Sequence, residues 1–319
     1  MSTTALQPRL SRWLPAAALL LLAAFPLVAP ALGLDFYVSF VRRALIFALA
    51  AASLNFILGY GGMVALGHCG FMGVGAYTLV ALSEAGVQSA WLMWGAAMVV
   101  AAFAAGLIGS VALRTRGVYF IMITLAFAQM LYYLAVSIRA YGGDDGYNLM
   151  QRPGFGLGLD STHEPTFYWV VLALFTLVMF GLSRIVRARF GQALVGLRDN
   201  ETRMQAMGYP VMRLRLVAFM LAAAIAGLAG ALLVTHNNFV SPGVMHWTQS
   251  ATLIVMVVIG GVGHRWGGPV GAGVWIFLEE VVKQHTDYWH LPLGLLLIAI
   301  VFLAPRGIAA LFGSRGGRP

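Results

Sequence analysis

The sequence holds a single cysteine, Cys69, and a single lysine, Lys283, in 319 residues, and only 10% of its residues are charged. Each scarcity excludes something. One cysteine rules out an intrachain disulfide and any zinc site built from paired cysteines. The phosphate-binding loop GxxxxGK[ST] needs a lysine directly after its last glycine, and Val282 precedes Lys283. The chain therefore cannot hydrolyse ATP by that route. No serine stands in a GxSxG nucleophile turn. His163-Glu164 opens like HExxH, but Phe167 occupies the place of the second histidine and Pro165 opposes the helix that motif requires. A soluble domain carries about 25% charged residues; at 10% the chain cannot clothe a water-facing surface with charge.

What is present is apolar: 60% of the residues are hydrophobic. A crossing of the bilayer takes about 20 mainly apolar residues. Backbone groups in lipid must bond internally, so spans are helices or closed barrels. The apolar runs are long and lack the ten-residue alternation of a barrel. They predict an all-α, polytopic transmembrane helical bundle. Hydropathy places spans at 14–33, 40–59, 63–83, 91–113, 117–138, 167–183, 214–234, 249–263, 269–282 and 291–304. The eighth and ninth are short, and read either as tilted short helices or as a broken, re-entrant pair.

The net charge of +9 would suggest nucleic acid in a soluble protein. In a membrane protein it follows from the collection of basic residues in cytoplasmic loops, and no nucleic-acid partner is expected. With the N-terminus inside, 15 of the 20 basic residues fall on the cytoplasmic side. Arg139, Arg152 and Lys283 fall outside, and Arg42 and Arg43 lie near the outer end of the second span. This bias predicts ten spans with both ends cytoplasmic. Arg9, Arg12, an apolar stretch and Ala29-Pro30-Ala31 also have the look of a signal peptide; cleavage would leave nine spans. The expected organisation is a cytoplasmic tail at 1–13, one transmembrane domain at 14–304 containing a cytoplasmic loop at 184–213, and a basic cytoplasmic tail at 305–319.

Four segments carry the polar and glycine signals. In the inner loop 184–215, seven arginines accompany Asp199 and Glu201. Helical spacing runs from Gly191 to Met207, with Leu194, Leu197, Glu201 and Met204 on one face. Arg198 and Glu201, three apart, would share that helix. Gly208 ends it and Pro210 follows. Such an amphipathic helix can dock into a groove of a cytoplasmic partner; a solvated basic loop is the plainer reading. The second segment begins at Asn55 and is dense in glycine, with Gly67, Gly73 and Gly75 within it and His68 near one end. Small residues allow helices to approach closely, and glycine tolerates breaks in a span. An ionisable group in a span is a functional candidate, although a neutral histidine with a hydrogen-bonded partner is the plainer reading.

Within 117–138 the polar interior positions are Thr124 and Gln129, about 140° apart round a helix and so on no single stripe. The Gly142-Gly-Asp-Asp-Gly146 run beyond them reads as an acidic glycine turn; a calcium loop would need a longer ligand series. The fourth segment, Val258 to Gly271, contains Gly260, Gly261 and Gly263. Gly263, Gly267 and Gly271, four apart, would form one smooth face if helical. Ala223, Gly227 and Ala231 do the same in the seventh span, and Lys283 is spaced to pair with Glu279 or Glu280.

Taken together, LGYGGMVALGHCGFMGVGAY, GVYFIMITLAFAQ, GGDDG, FGQALVGLRDNE, AFMLAAAIAGLAGAL and VIGGVGHRWGGPVGA resemble, in order, a LivM-type permease of branched-chain amino-acid ABC transporters, over about residues 45–280. Met63, Ala65, Thr202 and Arg203 depart from the usual pattern. The resemblance implies a permease subunit in a bacterial inner membrane, without catalytic residues, metal or cofactor of its own. It implies a LivH-type second permease, two cytoplasmic ATPase subunits that bind ATP and Mg, and a periplasmic solute-binding protein. It places Arg198, Asp199, Asn200, Glu201 and Gly208 in the loop that docks to an ATPase. Asn55, Gly67, His68, Gly73, Gly75, Thr124, Gln129, Gly260, Gly261 and Gly263 are then candidates for the pathway or for helix packing. Relatives are assigned to branched-chain amino acids, urea, amides or aromatic acids. A stand-alone secondary transporter is the alternative; it would want buried ionisable groups for ion coupling, and His68, Glu279 and Glu280 are the few on offer.

Overall fold

A computed structural model describes residues 7–29, 33, 35–156, 164–285, 288, 290–303 and 307–309. Pro30 and Ala31 of the candidate cleavage signal, the first six residues and nearly all of the C-terminal tail lie outside the described residues. Among the described residues twelve α-helices follow one another: α1 (Gln7–Val28), α2 (Asp35–Asn55), α3 (His68–Glu84), α4 (Ala90–Ala112), α5 (Val118–Ser137), α6 (Glu164–Arg187), α7 (Arg189–Asp199), α8 (Glu201–Ala206), α9 (Val211–Asn237), α10 (Trp247–Gly260), α11 (Gly267–Lys283) and α12 (His290–Leu303). Ten of these fall on the ten hydropathy segments, and α7 and α8 occupy the loop between the sixth and seventh. Five stretches are long and apolar enough to cross a membrane: Phe36–Tyr60, Ala90–Ala112, Val118–Ser137, Glu164–Arg187 and Val211–Asn237.

These five differ in what surrounds them. The apolar windows of the second helix and of α9 are 72% buried, whereas those of α4, α5 and α6 are 28%, 22% and 28% buried. The first pair forms the axis of the bundle. The other three present Leu92, Phe103, Met122, Met130, Leu177 and Phe180 outward, as helices facing lipid tails do. Burial of α9 is possible because its inner residues are small. A methyl group on Gly227 would stand 2.5 Å from Ala101 Cβ of α4 and 2.8 Å from Ala97 O. Gly227 in turn faces Gly75 of α3, and Gly230 faces the Met72 carbonyl. The Ala223–Gly227–Ala231 face is thus the seat of both α3 and α4, through the close approach that small residues permit.

The glycines of the fourth segment act differently from the spacing argument. Gly263 has φ +77 and lies outside any helix, and α11 starts only at Gly267. The smooth face therefore consists of Gly267 and Gly271, which abut Gly260, Gly261 and the Met256 carbonyl of α10. Gly268 seats α11 on Ala51 of α2.

At the other end of the bundle the GGDDG turn is set by three positive φ angles, +86, +55 and +82 at Gly142, Gly143 and Gly146. It delivers a two-residue strand β1 (Tyr147–Asn148), which pairs antiparallel with β2 (Phe239–Val240) directly after α9. Lys283 pairs with Glu279 one turn earlier in α11, and Arg43 stands 4.0 Å from the same carboxylate.

Candidate functional site

Helix α2 does not end cleanly. Phe56–Tyr60 continue it as a π-turn, and from Gly61 to Gly67 the chain leaves the helix before α3 begins at His68. A widened turn of this kind releases backbone carbonyls from their regular partners. Two segments from far along the sequence, the loop 261–266 and α7, are bonded to the break. Asn55, 2% exposed, donates from Nδ2 to His264 O (2.7 Å) and accepts at Oδ1 from Gly263 N (2.9 Å). Arg198 of α7 donates from Nη1 to Gly59 O (2.6 Å) and from Nε and Nη2 to Asp199 Oδ1. Glycine is required on both sides. A methyl group on Gly59 would run into Gly263, and one on Gly62 (φ +65) would stand 2.8 Å from Arg198 Cγ. The break in the second span, the loop 261–266 and the inner loop are thereby one hydrogen-bonded junction. Beside it lies a cavity of about 270 Å³, lined among others by Asn55, Phe56, Tyr60, Arg187, Arg265 and Trp266. Burial, and then the neighbouring Arg265, hold the His264 imidazole below its usual range.

The inner loop is two helices, which corrects the expectation of a single helix from Gly191 to Met207. Asn200 is extended (φ −156, ψ 97) and its Oδ1 accepts from Arg203 N at 2.9 Å, capping α8. Arg198 and Glu201 consequently face different partners. Glu201, 15% exposed, receives Arg215 Nη2 at 2.8 Å and Arg116 Nη2 at 2.9 Å, which ties α8 to α9 and to the turn before α5. Leu194 enters the main core, while Ala193, Leu197 and Met204 form a small core of their own with Val211 and Leu214. Gly208 closes the loop at φ +81 with open space around it, so only its backbone conformation calls for glycine.

The remaining candidates are scattered through the bundle. Gly67 lies under the Thr124 carbonyl, while the Thr124 hydroxyl is spent on Ile121 O at 2.9 Å. Gly73 faces the Met245 side chain, and Gly75 faces Gly227. His68 is fully buried with Nε2 2.8 Å from Ser53 Oγ, and that hydroxyl also donates to Ala50 O at 2.8 Å. With its hydrogen engaged there, Ser53 accepts from the Nε2–H of His68. Gln129 Nε2 is buried without a partner among the described residues. Gly261 touches Gly307. Sequence reasoning did not single out Gly59 or Gly62 for the junction, although both belong to the glycine-dense segment. It left Arg42 at the edge of a span, whereas Arg42 is 1% exposed.

An all-helical, multi-pass membrane protein with interlocked glycine contacts and a loop fastened to a broken span is the class this architecture defines. The family model described as "Branched-chain amino acid transport system / permease component" matches residues 36–304, and the chain belongs to that family. It is 29% identical over 294 residues to the high-affinity branched-chain amino acid transport system permease protein LivM of Escherichia coli, covering 85% of this chain and 69% of that one. The figures are the same for the LivM protein of Salmonella typhimurium. A probable branched-chain amino acid transport permease protein LivM of Methanocaldococcus jannaschii is 25% identical over 157 residues, 44% of this chain and 46% of its own. No solved structure matches the chain. The chain is a membrane permease subunit of an ATP-binding-cassette importer.

Proposed function

We propose that this subunit translocates branched-chain or related hydrophobic amino acids, delivered by a periplasmic binding protein, across a bacterial inner membrane. Ten spans with both ends cytoplasmic provide the frame, and the transmembrane domain is 14–304. A LivH-type second permease completes the pore. Two cytoplasmic ATPase subunits hold ATP and Mg, and the loop 184–213 is the surface on which one of them docks. The observation that supports this most is the bond from Arg198 Nη1 to Gly59 O. A loop that only set orientation would have no reason to reach into the break of a buried span. A loop that passes movement from an ATPase to a pathway would need such a link.

The test is reconstitution. Expressed together with ATPase, second-permease and binding-protein partners, the subunit is expected to co-purify with the ATPases. The proteoliposomes should take up leucine only with ATP and binding protein present. The chain alone should hydrolyse no ATP. ATP turnover by the isolated chain, or leucine uptake by it without partners, would overturn the proposal.

A further inference from the structure

At the end of the bundle opposite the inner loop, a cavity of about 460 Å³ is lined by Val38, Ser39, Arg42, Arg152, Glu164 and His236, with Pro165 and Asn237. Arg42 reaches it from inside α2 and is 1% exposed. Its Nε donates to His236 Nδ1 at 2.9 Å, its Nη1 meets Glu164 Oε2 at 2.5 Å, and its guanidinium lies 4.7 Å from the centre of the Phe167 ring. Arg152 donates from Nε to Asn238 Oδ1 at 3.1 Å and from Nη1 to Glu164 Oε1 at 2.9 Å. His236 accepts at Nδ1, so its imidazole is neutral.

The charge does not balance. Among the described residues two guanidinium groups share one carboxylate, and Arg43 on the same helix turns instead to Glu279. Taking an arginine out of water is expensive unless anions and hydrogen bonds compensate it. Among the described residues, no second carboxylate stands beside the pair at the wall of the cavity. With Nε on Asn238 and Nη1 on Glu164, Arg152 keeps Nη2 as a charged donor for a carboxylate, and Glu164 is 47% exposed and can accept from a cation. Val38 and Pro165 supply apolar wall.

We propose that this cavity is a receiving site for a zwitterionic α-amino acid, with its carboxylate at Arg152 and its ammonium group at Glu164, and with buried Arg42 holding Glu164 in place. The inference rests on the transport reading above, in whose orientation this end faces outward. It adds a site on this chain where the solute rests on entry. An acidic side chain of a docking protein is the competing occupant, and it would leave free amino acids unbound.

The full chain in lipid nanodiscs, probed with tritiated leucine by scintillation proximity, separates these outcomes. Saturable binding is expected. It should be displaced by 4-methylpentanoate, which keeps the carboxylate, and not by leucinamide, which lacks it. Arg152→Gln should weaken binding at least tenfold, Arg152→Lys less, and Arg139→Gln on the neighbouring turn not at all. Arg152 is 17% exposed and lies outside the helices, so these variants are expected to remain folded where Arg42→Gln would not. Absence of saturable binding, equal displacement by leucinamide, or unchanged binding by Arg152→Gln would overturn the site. ATP-driven uptake that persists in that case would leave the transport reading standing.

Discussion

At the scale of single residues, the glycines divide by what stands opposite them. Gly67 faces a backbone carbonyl, Thr124 O, and Gly73 faces a methionine side chain. A carbonyl held in a helix cannot step aside, whereas methionine has three rotatable bonds and adapts to irregular space. Overpacking a tight contact typically destabilises by about 1–3 kcal/mol. Gly67→Ala should therefore reach the upper end of that range and reduce the amount of folded protein in the membrane. Gly73→Ala should lie at the lower end, and leucine at either position should block assembly. Thermal unfolding followed by fluorescence-detected gel filtration checks the order. If both leucine variants assemble and transport normally, the glycine segment is ordinary lipid-facing helix. Asn55 illustrates another kind of dependence. It satisfies one donor and one acceptor of the half-buried loop 261–266 at once, so Asn55→Leu removes both bonds, at about 0.5–1.5 kcal/mol each.

At the scale of elements, the hydropathy of the chain located the helices well, because a bilayer-length apolar run has few alternatives. Breaks within and between helices were harder to read. Asn200 followed by Glu201 is a legible cap and helix start, yet the periodicity of Leu194, Leu197 and Met204 runs straight through it. Leu197 and Met204 meet because two short helices fold onto one small core, while Leu194 enters the main core. The junction at Asn55 was not legible at all, since its partners Gly263 and His264 lie more than 200 positions away and no local pattern records such a pairing. The same separation hid the burial of Arg42. The two helices of the loop now lead to different expectations for their charged residues. Arg198→Ala removes the link to Gly59 O and should lower ATP-driven uptake severalfold while the ATPases remain bound. Glu201→Ala removes the brace between α8 and α9. Its bond to Arg215, with both side chains about one-sixth exposed, contributes about 1.5–3 kcal/mol as a charge-assisted hydrogen bond. The bond to Arg116, 66% exposed, adds little. The Glu201 variant should release the ATPase in a pull-down. Charge reversal at both positions should stop uptake and leave binding of the periplasmic protein intact. Normal uptake with bound ATPase in the doubly reversed protein would return this loop to a basic segment that only sets orientation.

At the scale of the whole molecule, the two ends of the bundle differ in kind. One carries α7, α8 and the arginines of the inner loop; the other carries the glycine turn, the short β-pair and the Arg42–Glu164–Arg152 cluster. Between them lie ten helices, five of which are long and apolar enough to cross alone. By the hydropathy reading of the sequence, basic residues fall 15 to 3 on the side of the inner loop, with two between, and it is basic residues near span ends that fix orientation. This predicts that residues 142–146 and 184–215 lie on opposite sides of the membrane, with the loop in the cytoplasm. The chain is well suited to a direct check, because its only cysteine, Cys69, is 1% exposed and contributes little background. Asp144→Cys, at an exposed position of the glycine turn, should react with a membrane-impermeant maleimide added to intact spheroplasts. Thr202→Cys, on exposed α8, should react only after the membrane is opened. Labelling of Thr202→Cys in intact spheroplasts, or protection of Asp144→Cys, would invert the molecule. The inner loop would then be out of reach of any cytoplasmic ATPase, and the cavity at Arg42 would face the cytoplasm, where no periplasmic protein could fill it.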